Sequence, residues 1–381
     1  MEKPVSRVRV GFGGLLIGLL LCANLTAHAA IVTDLYEASV PVPDQSAGAR
    51  NVALQQALAA VLVKVTGERS AGGVPALASL LQNPSQFLQQ YRYEQAPGAN
   101  GTPALTYYDL TRVGTPAIPL TGLLLSARFD PEVVDQAVRA AHEPLWGRER
   151  PATLVWIAFQ DGSNVSIVSA SGNSAIVQAM NSAAQQRGVT LMFPAMDAVD
   201  QQAIGIPDIT EDNTARIQQA SQRYKPDATL IGSIYMTTPG QYAARWQLTV
   251  GNQTASWTTP PNNLTSVAAD GVQTAADNYA KWFALAADAV GQDGVTLSVT
   301  GISGVDAYAK VLAYLGKLTP VKSVQVTRVD NHTVYFSLDT RGSLANLQQA
   351  VLLGDLLKTA APAAASANPP SATLLQFQYA P

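Results

Sequence analysis

Cysteine is nearly missing from this chain of 381 residues: only Cys22 is present, and histidine occurs three times. No internal disulfide framework is therefore available. His142 and His332 stand at no ligand spacing from each other or from a cysteine, which argues against a structural zinc site. Charged side chains make up 13% of the residues, below the usual quarter, and the net charge is −3. That balance offers no basic stripe for nucleic acid. Neither phosphate-cradling glycine motif is found. Gly301-Ile302-Ser303-Gly304 begins like a nucleophile elbow, but Val305 stands where the closing glycine is required. Ser303 reads instead as a helix cap, and no catalytic set or cofactor site emerges.

What is present begins with a leader. Lys3, Arg7 and Arg9 precede an apolar run over residues 10–23, and Ala27-His28-Ala29 supplies small residues where a signal peptidase reads. The run is shorter than the roughly 20 residues that span a bilayer, so cleavage after Ala29 is expected, with no stable membrane span afterwards. Leu21, before Cys22, is too large for a lipoprotein signal. Removing residues 1–29 takes away Glu2, Lys3, Arg7 and Arg9 and moves the net charge from −3 to −5. The expected product is a cysteine-free, mildly acidic periplasmic protein. With 47% hydrophobic residues, it has material for substantial cores without disulfides.

The order of elements predicts an α+β fold of two or three small mixed-sheet domains. In the first, over residues 30–147, a strand at 35–42 precedes a helix capped by Asp44 or Ser46. Leu54, Leu58, Val61, Leu62 and Val65 form its apolar face, and Gly67 ends it. A short helix follows at 75–81. Stretches 89–94 and 105–112 read as a hairpin, 123–129 as a stronger strand. Asp130-Pro131-Glu132 then starts a helix with a buried stripe of Val133, Val134, Ala137, Val138 and Ala141.

A charged joint, 145–151, leads into the second domain (148–291). Its strand 153–159 is apolar almost throughout, as expected when both faces are covered. A helix ending at Gly188, a helix capped by Thr210 or Asp212, strands at 228–236, 245–250 and 254–258, and a helix running to Gly291 complete it. The last domain (292–381) reads βαββαβ, the ferredoxin-like order, with an Ala/Pro-rich loop at 359–370.

Candidate functional residues are few. His142 falls at a helix C-terminus, where an imidazole meets the dipole favourably, and His332 in a hairpin turn. Asp208, Glu211 and Asp212 cluster where a helix starts, which is where carboxylates cap. Trp156, Trp246 and Trp282 fit a core. Trp146 in the joint either plugs a gap between domains or, with Arg148 and Arg150 beside it, touches a partner.

Some of these stretches carry a resemblance. Arg50-Asn51, the helix closed by Thr66-Gly67, residues 89–94 (QQYRYE), Leu145-Trp146-Gly147, Arg150-Pro151 and strand 153–159 together resemble exported proteobacterial proteins grouped as domain of unknown function 2066. That resemblance implies a periplasmic protein and transfers no active-site residue. Residues 224–233 (YKPDATLIGS) and the hairpin with Trp246 are similar to the N-terminal domain of TolB-like envelope proteins, which implies docking to other envelope proteins. The leading expectation is a non-catalytic periplasmic envelope protein acting through protein–protein contacts. The alternatives are a small-molecule or lipid binder with a groove near Trp146, and an unrecognised hydrolase built on scattered polar residues.

Overall fold

The computed structural model describes residues 34–96, 106–107, 118–119, 122–172, 174–354, 356–360 and 374–380. The expected leader and cleavage site lie outside them. The described chain is α+β, with three principal sheets, each packed against helices over its own core.

The first sheet holds β1 (Glu37–Pro41), β2 (Leu88–Gln95) and β5 (Leu123–Phe129), while β3 (Thr106–Tyr107) and β4 (Ile118–Pro119) pair separately. Helix α1 (Ala47–Thr66) covers the sheet, and the short α2 (Pro75–Ala78) follows. Ser46 caps α1 through the Ala49 N–H, and Gly67 closes it at φ 75°, where a side chain would be strained. β2 pairs with β5; of the 105–112 stretch expected as its hairpin partner, Thr106–Tyr107 pairs with Ile118–Pro119, and 105 and 108–112 lie outside the described residues. The reason lies in β5, which is buried along most of its length and must be hydrogen-bonded on both edges. β1 takes one edge and β2 the other.

Helix α3 (Pro131–Ala140) starts on Asp130, whose carboxylate accepts from the N–H groups of Glu132 and Val133. Its expected stripe divides: Val134 and Val138 enter the core, whereas Val133 is 40% exposed.

In the middle sheet, β6 (Ala152–Asp161) lies centrally, between β7 (Asn164–Ile167) and β9 (Ala228–Thr238). The short β8 (Thr190–Met192) pairs with its beginning, and β10 (Gln241–Val250) and β11 (Gln253–Asn262) extend the sheet beyond β9. Seven consecutive residues of β6 are buried because α4 (Ser174–Arg187) and α8 (Leu264–Phe283) form a core on one face. On the other face a smaller core is closed by α5 (Ala198–Ala203), α6 (Ile206–Thr210) and α7 (Thr214–Ser221). The cap of α7 is Asn213, one residue beyond Asp212. Helix α8 stops at Phe283, short of Gly291: Leu285 exchanges backbone hydrogen bonds with Leu145, which pulls the chain extended, and Val290 is 89% exposed.

The C-terminal sheet runs β13 (Val321–Asp330), β14 (Thr333–Thr340), β12 (Val295–Thr300), β16 (Leu374–Tyr379), β15 (Leu357–Thr359). Helices α9 (Val305–Lys317) and α10 (Leu344–Leu352) supply the two crossovers. The βαββα order expected of a ferredoxin-like unit is there, with an elaboration at the end. β15 stands at the edge, and β16 enters between it and β12, parallel to β12. Thr359 belongs to β15, so the Ala/Pro loop begins later than expected; residues 361–373 lie outside the described ones. Ser303 does not cap α9, because Gly304 at φ 91° occupies the N-cap position.

Candidate functional site

The joint between the first two sheets is built from helix ends. Helix α1 leaves unpaired carbonyls at its C-terminus. The Trp146 N–H donates to Val65 O at 2.6 Å, and next to it the backbones of Leu145 and Leu285 bridge. At Gly67 the chain passes so near α8 that a Cβ would lie 2.2 Å from that of Ala280. The Trp146 side chain, 1% exposed, fills the gap against Tyr279, with ring centroids 6.2 Å apart.

Arg150 then inserts its guanidinium 3.7 Å from the Trp146 ring centroid. It donates to Lys64 O at 2.6 Å, Trp146 O at 3.0 Å, Gly147 O at 2.9 Å, Arg187 O at 2.7 Å and Gly188 O at 3.2 Å. One planar cation thus closes the C-terminal ends of α1 and α4, where positive charge is favoured. Arg187 repeats the device from the other side, donating to Gly67 O at 2.7 Å and Gln273 O at 3.1 Å and pairing with Asp277 at 2.7 Å. Lys64 is buried beside them with its ammonium on Glu37 O at 2.8 Å, and burial pushes its pKa down to about 8. Burial also lowers the pKa of Arg150, with Arg187 adding repulsion.

Outside this knot the joint meets the C-terminal sheet. Arg148 lies 5.1 Å from the Tyr36 ring centroid, and the Tyr36 hydroxyl donates to Asp135 at 2.6 Å. Burial raises the pKa of Asp135, and that of Glu149, which accepts from the Thr319 N–H at 3.2 Å. Two neighbouring hollows share Glu149 and Leu353 in their walls. The smaller, about 30 Å³, is lined by Trp146 among others; the larger, about 330 Å³, opens between Arg148 and α9. The buried indole N–H of Trp146 has no hydrogen-bond partner among the described residues.

Of the three residues considered as partner contacts, Trp146 and Arg150 are consumed internally, and burial takes both out of a partner's reach. Arg148 remains half-buried at the mouth of the larger hollow. His142 is exposed at φ 58° just past α3, and the His332 carbonyl accepts from the Ile302 N–H. Asp208 caps α6 through the Gly205 N–H, and Glu211 follows as the C-cap residue of that helix. Asp212 sits at φ 55° in the turn before α7. Among the described residues, no group of three or more His, Cys, Asp or Glu could hold a metal ion, and no helix is long and apolar enough to cross a membrane.

Sequence reasoning missed Lys64 and Arg187. Each sits in the last turn of a helix just before a glycine; a basic residue there usually faces solvent, and only tertiary packing buries these two. It also missed a network on the far face of the middle sheet. Asp200, fully buried, accepts from Met196 N–H at 2.9 Å, from Arg223 at 2.9 Å and from the Tyr224 hydroxyl.

Comparison with known families corrects the resemblance drawn from the sequence. Residues 29–147 match the model of Domain of unknown function (DUF8605), a different family from domain of unknown function 2066. The match is confined to the region of the first sheet and gives no support to the TolB-like resemblance of the middle one. No curated protein matches the chain.

Proposed function

We propose that the protein is an exported, non-catalytic component of the cell envelope that acts by holding another envelope protein. The leader-like start supports export. The observation that carries the docking role is a groove on the first unit. Between α3 and residues 76–87 lies an open trough of about 700 Å³, walled by Leu80, Phe87, Val133, Ala137, Ala140 and Ala141. Helix α3 buries Val134 and Val138 in its own core, with Ala137 and Ala141 packed against it, and leaves Val133 and Ala140 facing the trough. Contiguous apolar surface of this kind marks interaction sites on soluble proteins. The alanines let a partner backbone approach closely, and Gln86 and Gln136 in the same wall provide polar contacts. An amphipathic helix laid along α3 fits these features.

The test is a photo-crosslinking residue at position 140 in living cells. One discrete adduct with an envelope protein is expected, reduced at least about tenfold by Val133→Glu, the equivalent of 1.4 kcal/mol. Val133 points away from the core, so the variant should keep the wild-type melting temperature. Absence of an adduct, or an adduct indifferent to Val133→Glu, sinks the proposal.

A further inference from the structure

The larger hollow beside the joint has a different character from the trough on α3 and stands independently of the docking role. Its outer wall is one face of α9: Lys310, Ala313, Tyr314 and Lys317, spaced i, i+3, i+4 and i+7, line up along the helix. Leu318, Leu353 and Leu356 form the apolar interior, and Arg148 stands across the mouth. The volume, about 330 Å³, is that of a small-molecule site. Neither lysine has an ion-pair partner among the described residues. Glu149, the one acid among the described residues of the wall, is tied back to Thr319. Apolar interior and a rim of lysines without an ion-pair partner among the described residues together select a ligand that is greasy along its length and negative at one end.

From this pairing of charge and apolar surface we infer that the hollow binds a single acyl chain with an anionic head group, taken up as a free monomer. The head group meets Lys310 or Lys317, and the chain runs along Tyr314, Leu353 and Leu356 toward Glu149, where the hollow adjoins the smaller one lined by Trp146. Tyr314 holds its wall in place by donating from its hydroxyl to Val351 O at 2.9 Å. The ligand would therefore lie between the joint and the C-terminal sheet, touching both.

The experiment is titration calorimetry of the purified protein with dodecanoate below its micellar concentration, beside dodecanol and phosphatidylglycerol vesicles. Dodecanoate should bind one to one and at least about tenfold more tightly than dodecanol. Ala313→Trp, which fills the hollow from an exposed helix position, should abolish binding. The double variant Lys310→Glu, Lys317→Glu should weaken dodecanoate about tenfold or more while leaving dodecanol unchanged. No binding of dodecanoate by the wild-type protein overturns the inference, as does equal affinity for the alcohol. Binding to vesicles without binding to the monomer also overturns it, in favour of a contact with the membrane surface. If Ala313→Trp lowers the melting temperature, the charge-reversal pair, confined to exposed side chains, decides.

Discussion

Lys64 carries a charge that its surroundings resist. Its folded pKa, about 8, lies below the 10.5 of an unperturbed lysine, and burial is the main cause. Between these values the unfolded chain holds the proton and the folded chain releases it. Stability contributed at this position therefore rises with pH across that window and is lowest below pH 8. The slope is at most about 1.4 kcal/mol per pH unit. Lys64→Met removes the titrating group, so the difference between the urea-denaturation stabilities of the two proteins should tilt toward wild type as pH rises from 8 to 10.5. A difference that stays flat over that range would show that Lys64 is no more perturbed than a surface lysine.

Among the elements, α5, α6 and α7 depend most on a single side chain. All three are short, and isolated helices of this length are marginal in water. Asp200, in α5, ties the chain before that helix to the Arg223-Tyr224 pair after α7. Asp200→Ala takes the acceptor from the Met196 N–H and the Tyr224 hydroxyl, while Arg223 keeps its pair with Asp197, and should cost about 1–3 kcal/mol. Hydrogen exchange is the measurement, and residues 196–224 should lose protection while β6 and β9 keep theirs. Uniform loss across the middle sheet would mean that the cover and the sheet open together. Long, periodic elements such as α1, α9, β6 and the C-terminal strands were legible in the sequence because their apolar spacing matches their geometry. The turn α5 was not, since its order comes from a polar network joining positions more than twenty residues apart. The trough was half legible: the apolar residues of α3 were visible, but which of them meet a core is decided by the neighbouring chain.

At the scale of the molecule, the knot around Arg150 couples the first two units. Its five acceptors come from the end of α1, the joint itself and the end of α4. Wild-type protein should accordingly show one calorimetric transition for these units together. Arg150→Met leaves buried carbonyls unpaired at a cost of about 1–3 kcal/mol each, and it should split that transition in two. Arg150→Lys should recover little, since an ammonium cannot reproduce the planar fork. An unsplit transition in Arg150→Met would show that apolar packing around Trp146 suffices. The sequence marked the joint as a place of structural work but pointed outward for its arginines. Nothing local distinguishes a guanidinium that reaches a partner from one that turns inward to carbonyls remote in the chain.

The family match ends at residue 147, three positions before the guanidinium that closes the first helix of that region. Taken as a transferable module, it has an open socket: Lys64 O and Gly67 O both receive their donors from beyond its boundary. Wherever such a module is spliced to a different neighbour, the newcomer must bring two cations to the same two oxygens or leave them to water. The modularity of the region is thus conditional, and the terms of any recombination are written in the carbonyls of one helix end.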